Sequence, residues 1–111
     1  MGKRENIVET YFDKQVEEVL NGITRKWVCP GQDGAPDRIP IWAYCPGQVF
    51  VEVKTVDGSL SPVQEREHTR LREVGALVFT VYGQSGVDAF IKLADGCSLT
   101  ASHAFGVFEC R

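Results

Sequence analysis

The 111-residue sequence lacks several features that define common protein classes. No apolar run approaches the length of a transmembrane helix, and the basic start MGKR leads into charged and polar residues instead of a signal-peptide core. None of the four cysteines, at positions 29, 45, 97 and 110, forms a C-x-x-C pair, so the usual zinc-site spacing is missing. We therefore expect free thiols in a reducing cytoplasm, with a pairing of Cys97 and Cys110 left open.

An excess of positive charge is also missing. Twelve basic residues face fifteen acidic ones, which gives a net charge of −3 and a pI near 5.3. This balance counts against a nucleic-acid binder without excluding one, because binding needs only a local basic patch. With 43% hydrophobic and 24% charged residues and no repeat, low-complexity tract or linker, the chain is expected to form one globular domain over residues 1–111.

The hydrophobic pattern predicts the order α-β-β-β-α-β-α, with a weak last strand in HAFGVFEC at 103–110. The predicted helices span 7–21, 62–74 and 85–95, and the predicted strands span 23–29, 38–44, 49–55 and 76–82. The first helix has an apolar stripe of Val8, Phe12, Val16, Val19 and Leu20, and the second a thin stripe of Val63, Leu71 and Val74. A right-handed crossover through helix 62–74 implies a parallel strand pair, and hence an α/β fold with a mixed sheet flanked by helices.

The stretch FVEVKT, residues 50–55, places two charges in an otherwise apolar strand. Because strand side chains alternate between two faces, Glu52 and Lys54 project to the same side. Charges in such a strand are costly unless they are paired or coordinated. The strand therefore needs a reason to keep an acid and an amine together.

Asp37 is a second candidate acid, and it lies just before the predicted strand 38–44. A short connection at 45–48 makes this strand antiparallel to 49–55, and a bulge at Pro40 would bring Asp37 close to Glu52. Two converging carboxylates repel each other unless a cation lies between them. Mg²⁺ prefers such oxygen ligands, which would leave Lys54 beside a metal-bound water or a phosphate. A surface ion pair of Glu52 with Lys54 and a simple turn acid at Asp37 are the alternative.

Three short motifs carry a resemblance to a known family. They are Gly34-x-Pro36-Asp37, Phe50-Val51-Glu52-Val53-Lys54 and Leu60-Ser61-x-x-Gln64. Together they resemble the VRR-Nuc (virus-type replication-repair nuclease) family of the PD-(D/E)xK nuclease superfamily. The agreement continues through Leu71 and Gly75 into ALVFTVY, so it spans roughly residues 6–82 and implies a restriction-endonuclease-like core.

The resemblance implies hydrolysis of DNA phosphodiester bonds with Mg²⁺ or Mn²⁺. Asp37, Glu52 and the carbonyl of Val53 would hold the metal, with Glu9 as a further acid. Lys54 would orient the attacking water or stabilise developing charge, and Gln64 would position water or phosphate, since in-line displacement needs little beyond positioning and charge neutralisation. Capping boxes formed by Asn6 with Glu9 and by Ser61 with Gln64 explain both residues without any catalytic role.

A positive surface near the acids would have to bind the DNA backbone. The candidates for this contact are Arg25, Lys26, Arg38, Arg66, His68 and Arg70. A solvated helix face is the alternative for the residues of helix 62–74. Trp27 and Trp42 are assigned to the core.

For function, the resemblance favours an endonuclease of branched DNA that resolves four-way (Holliday) junctions as a homodimer. Such a protein would act in the cytoplasm of a bacterial cell or a phage-infected host. A flap or duplex endonuclease that needs a partner and a catalytically silent DNA-binding module remain alternatives. A protein-interaction domain with surface charges is the third, and it predicts no binding of divalent metal.

Overall fold

A computed structural model of the chain describes residues 3–111. The helices are α1 (Lys3–Leu20), α2 (Pro62–Glu73), α3 (Gly83–Asp95) and α4 (Leu99–Ala104). The strands are β1 (Ile23–Lys26), β2 (Arg38–Ile41), β3 (Val49–Lys54), β4 (Leu77–Tyr82) and β5 (Glu109–Cys110). No helix in this part of the chain is both long and apolar enough to cross a membrane.

The five strands form one mixed sheet in the order β1-β2-β3-β4-β5. The pairs β1–β2 and β2–β3 are antiparallel, whereas β3–β4 and β4–β5 are parallel. The crossover from β3 to β4 passes through α2, as predicted. The predicted fold class is therefore confirmed: an α/β fold with a mixed sheet flanked by helices.

Alternation along β3 separates the core from the site. Val49, Val51 and Val53 are at most 1% exposed and join the apolar cluster formed with α1 and α3. Burying three valines on one face holds the strand firmly, since each contributes about 1.5–3 kcal/mol relative to an exposed side chain. Glu52 and Lys54 lie on the opposite face, on the side of α2.

The first helix begins earlier than the sequence pattern predicts. It starts at Lys3, so Asn6 lies inside the helix and cannot be its N-cap. The predicted capping box of Asn6 and Glu9 is therefore wrong, and Glu9 instead turns into the interior. The predicted stripe is correct for Val8, Phe12, Val16 and Leu20, whereas Val19 is exposed.

The second helix also differs from the prediction. Val63 and Val74 of its predicted stripe are exposed, and the buried residue of α2 is His68. The capping box of Ser61 and Gln64 is present, with both reciprocal hydrogen bonds formed at 2.9 and 3.1 Å. A polar helix thus packs on the sheet through His68 and partly buried neighbours such as Gln64 and Arg72 rather than through the predicted apolar stripe.

The ends of several other strands and helices also differ from the prediction. The strands predicted at 23–29 and 38–44 end at Lys26 and Ile41, and the helix predicted at 85–95 begins at Gly83. The connection between β2 and β3 therefore covers 42–48 instead of 45–48. Pro40 has no N–H to donate, and β2 pairs with β3 only where Arg38 lies opposite Val51.

The C-terminal segment completes the sheet. The unpredicted helix α4 leads to β5, which pairs with Thr80 and Val81 of β4. The Arg72 guanidinium donates to the Val78 carbonyl at 2.9 Å and lies 3.8 Å from the centre of the Phe108 ring. All four cysteines are free, so Cys97 and Cys110 are not paired.

We expect Gly86→Ala to destabilise the fold by about 1–3 kcal/mol, the usual cost of overpacking. An alanine Cβ at this position of α3 would lie 2.3 Å from the Cys110 carbonyl oxygen. In an isolated helix the same change stabilises by roughly 1 kcal/mol, so the sign reports the contact. Urea unfolding measures it, with Ser85→Ala on the exposed side of the helix as the control. A gain in stability would show that β5 does not lie against α3.

Candidate active site

Three carboxylates from three different elements meet at one point. Glu5 lies in the first turn of α1, Asp37 directly precedes β2, and Glu52 lies in β3. One oxygen of each lies within 4.8 Å of the others. Among the described residues this is the group of acids whose geometry suits a metal ion, and it unites two of the predicted site residues, Asp37 and Glu52.

Asp37 is held in place by its backbone and by its neighbours. The Trp27 N–H donates to the Asp37 carbonyl at 2.9 Å, and the Val53 N–H donates to Asp37 Oδ1 at 3.2 Å. The preceding loop passes against the first turn of α2 at Gly34. The φ of Gly34 is +87°, and a Cβ added at this position would lie 2.6 Å from the Val63 carbonyl oxygen. Only glycine fits such a close approach in this conformation, which accounts for the glycine of the G-x-P-D motif.

Lys54 and Gln64 both approach the same oxygen of Glu52. The Lys54 Nζ lies 3.9 Å and the Gln64 Nε2 lies 3.4 Å from Glu52 Oε2. Gln64 uses its side-chain oxygen to cap α2 and its amide nitrogen to donate to Glu52. Gln64 therefore serves as the cap and also contacts Glu52, and its role in positioning water or phosphate stays a prediction.

Burial and nearby negative charge make Asp37 and Glu52 hard to ionise without a cation. Burial, followed by the charge of Asp37, raises the pKa of Glu52 to about 8, and Lys54 only partly opposes this. Burial, followed by the charge of Glu9, raises the pKa of Asp37 to about 6. Glu52 Oε1 is buried without a hydrogen-bond partner among the described residues. A hard divalent cation bound among the three carboxylates would relieve the repulsion.

The acid from α1 is Glu5 and not Glu9. Glu9 is 4% exposed and forms a 2.5 Å ion pair with Arg38, outside the cluster of three carboxylates. Glu5, which lies one helical turn earlier, thus occupies the position in the cluster that the sequence assigned to Glu9. Glu5 and Glu9 are four residues apart, so on a helix that includes both they lie on the same side, and Glu5 could have been proposed from this spacing. The predicted helix started at residue 7 and therefore left Glu5 outside it.

Two residues assigned to DNA contact are instead internal. The Arg38 side chain is 12% exposed and pairs with Glu9 and, at 3.4 Å, with Asp13. His68 is fully buried, with its Nε2 3.8 Å from Glu52 Oε1, and burial lowers the pKa of its imidazole to about 4. Both assignments are corrected, because His68 is buried and the Arg38 guanidinium is paired with two acids of α1.

The other predicted residues differ in what the structure says of them. Arg25, Lys26, Arg66 and Arg70 are exposed, as a DNA contact requires. Val53 contacts Asp37 through its N–H, and the role of its carbonyl as a metal ligand stays a prediction. Trp42 is buried, whereas Trp27 is half-buried and stacks on Phe50 with ring centres 4.6 Å apart.

Known proteins are similar to this chain in both sequence and architecture. The chain is 37% identical over 82 residues to a protein named "Putative nuclease p44" of Acyrthosiphon pisum secondary endosymbiont phage 1, covering 73% of this chain and 85% of that protein. A solved structure titled "VRR_NUC domain" superimposes with a TM-score of 0.71 at 37% identity, covering 82% of this chain and 97% of that one. No family model matches the sequence. At 37% identity, both proteins are similar to this chain in sequence as well as in fold.

We expect Arg38→Met to destabilise the protein by about 3–5 kcal/mol, because it leaves the Glu9 carboxylate buried and unpaired. Replacing both partners, as in Arg38→Met with Glu9→Met, should recover most of the loss. Urea unfolding of the three proteins measures it. Lys14→Met is the control, since Lys14 and Glu18 form an exposed pair at 3.9 Å worth about 0.5 kcal/mol or less. If Arg38→Met lowered the free energy of unfolding by no more than Lys14→Met does, Arg38 would again be a candidate for DNA contact.

The raised pKa of Glu52 predicts how stability depends on pH in metal-free buffer. Between its ordinary value of 4.5 and about 8, the folded protein holds a proton that the unfolded chain releases. The free energy of unfolding should therefore fall as pH rises from 6 to 8. Glu52→Gln should remove much of this slope and raise stability at pH 8, whereas Glu17→Gln on exposed α1 should not. Thermal unfolding in EDTA measures it, and an unchanged slope in Glu52→Gln would contradict the assignment.

Proposed function

This chain belongs to the VRR-Nuc family of nucleases, and from that membership we propose that it hydrolyses DNA phosphodiester bonds with the help of Mg²⁺ or Mn²⁺. The observation that carries the proposal is the cluster of Glu5, Asp37 and Glu52, whose oxygens lie within 4.8 Å of one another. Repulsion among acids this close, one of them buried, disfavours such a cluster unless it serves a cation. Lys54 beside the cluster supports chemistry at a phosphate.

The donor set fits a hard divalent ion. Asp37 and Glu52 would hold it, with Glu5 in the place that the sequence assigned to Glu9, and with the Val53 carbonyl as a further oxygen. The burial of Glu52 beside the other two carboxylates supports this assignment. When bound, such an ion neutralises charge on the phosphate and lowers the pKa of a coordinated water.

The chain's own residues would position the substrate and the carboxylates. The Lys54 ammonium binds a phosphate oxygen or the attacking water and stabilises the charge that develops during in-line displacement. Gln64 donates to Glu52 Oε2, which fixes the direction of the other carboxylate oxygen. Asp37 is fixed in turn by the Val53 N–H.

The DNA backbone would lie along α2 and the exposed end of β1. Arg66 and Arg70 are one helical turn apart on the exposed side of α2, beside the loop at 31–33. Arg25 and Lys26 lie at the exposed edge of the sheet. None of the four forms an ion pair with a described acid, so each is free to bind phosphate.

We propose four-way junctions as the substrate class, with a homodimer as the active form. The support comes from the resemblance to compact stand-alone members of the family. Two-fold symmetry would place two active sites for symmetric cuts across one junction. The expected location is the cytoplasm of a bacterial cell or a phage-infected host.

A gel cleavage assay tests both the chemistry and the substrate. We expect cleavage of a four-way junction with Mg²⁺ or Mn²⁺, none in EDTA, and a loss of roughly 10²–10³-fold in rate for Lys54→Ala, the usual effect of removing one charge-stabilising donor. Lys92→Ala, on the exposed side of α3, is the matched control and should retain full activity.

The comparison substrates are a 5′ flap, a linear duplex and a single strand. Cuts confined to flap or duplex would keep the chemistry and contradict the junction assignment. Metal-dependent binding of DNA without cleavage would favour the silent binding module. Cleavage that persists in EDTA or in Lys54→Ala would overturn the proposed mechanism.

A further inference from the structure

Two buried polar groups face each other between α2 and β3 without a hydrogen bond. His68 is fully buried, and neither of its ring nitrogens forms a hydrogen bond of good geometry within residues 3–111, although the nearby Gly34 backbone partly opposes the lowering of its pKa. Glu52 Oε1 has no hydrogen-bond partner within the same residues either, and it lies 3.8 Å from His68 Nε2. Leaving a buried polar group unpaired destabilises a folded protein. Retaining two such groups at one contact therefore calls for an explanation other than packing.

The geometry of α2 supplies one. Gln64 and His68 are four residues apart, so they lie on the same side of the helix. Gln64 donates to Oε2 of Glu52, and His68 faces Oε1 of the same carboxylate. One helix face thus presents a separate nitrogen to each oxygen of a single acid.

We infer that His68 is a positioning residue for Glu52, donating its Nε2–H to Oε1 and thereby setting the direction in which the carboxylate meets a metal ion. This inference rests on the proposed function, in which Glu52 is a metal ligand. The present separation exceeds a hydrogen bond, and a shift of roughly 0.8 Å would form one. A ligating carboxylate is usually held by such an outer hydrogen bond, and loss of that bond typically weakens metal binding by about 10–100-fold.

A purely structural role makes a different prediction. If His68 only fills space, an apolar side chain of similar length should serve as well, and removing two unpaired polar atoms should even stabilise the fold. Stability alone therefore does not separate the two roles. Metal affinity does, because it depends on how the Glu52 carboxylate is oriented.

The experiment measures binding of Mn²⁺ to the DNA-free protein by electron paramagnetic resonance of the free ion. His68→Met removes the donor, and His68→Gln keeps an N–H donor at similar reach. We expect affinity to fall by about 10–100-fold in His68→Met and by no more than about threefold in His68→Gln. Should His68→Met fail to fold, His68→Asn replaces it, since its amide is too short to reach Oε1.

The other histidine of the chain provides the matched control. The His103 ring packs against Phe79 and Phe108, and its Nε2 accepts from the Val78 N–H at 3.3 Å. His103→Met removes a partly buried imidazole away from the carboxylates and should leave Mn²⁺ affinity unchanged. A comparable loss in His103→Met would mean that the effect at His68 is a general loosening of the fold, which overturns the inference.

The remaining outcomes separate this inference from the proposed function. Absence of Mn²⁺ binding in the wild-type protein would overturn the metal-dependent function and this inference with it. Wild-type binding that is unchanged in His68→Met, or that is lost equally in His68→Gln, would overturn the positioning role alone.

Discussion

The repulsion among Glu5, Asp37 and Glu52 is the constraint on which the other features of the site depend. Their oxygens lie within 4.8 Å of one another, and Glu52 is nearly removed from water. Like charges held so close favour protonation or a bound cation. The fold nevertheless keeps them together and supplies partial compensation, through the Val53 N–H on Asp37 and through Lys54 and Gln64 on Glu52. Compensation that stops short of full pairing leaves oxygens available to a metal.

The next layer of the structure holds the elements that carry these acids. Arg38 follows Asp37 in sequence and binds Glu9, which lies one turn after Glu5 on α1. A single ion pair therefore connects the strand of one acid to the helix of another. On the other side of the sheet, Gly34 lets the loop before Asp37 pass against α2, which carries Gln64 and His68. The site is thus fixed by contacts between elements more than by any one loop.

The sequence predicted the part of the site that local spacing encodes. Strand alternation placed Glu52 and Lys54 on one face, and the motif spacing placed Asp37 beside them. The residues it misplaced are those whose roles depend on tertiary packing. Arginine and histidine are residue types that usually face solvent or bind DNA. Arg38 and His68 lie inside the protein only because Arg38 packs against α1 and His68 against β3.

The missed acid has a related cause. Val8 is the first residue of the apolar stripe, so periodicity cannot detect the helical turn that precedes it. That turn carries Glu5, which therefore lay outside the predicted helix. The thin apolar stripe of α2 led to a different error. Val63 and Val74 were predicted to be core residues but are exposed, whereas the buried residue of this helix is His68. Apolar periodicity therefore found the helices that build the core and misjudged the helical faces that build the site.

The division of β3 into two faces explains how a small domain tolerates this arrangement. A domain of this size has a limited core and a net stability of only about 5–15 kcal/mol. The three valines of β3 anchor the strand from the α1 and α3 side, so Glu52 on the α2 side does not need to contribute to stability. Because the same strand carries both faces, the position of Glu52 is as rigid as the core behind it. A metal ion bound there would stabilise the folded state further, since an ion that binds only the native site shifts the folding equilibrium toward it. The strand FVEVKT thus keeps an acid and an amine together at a cost that its buried face can offset.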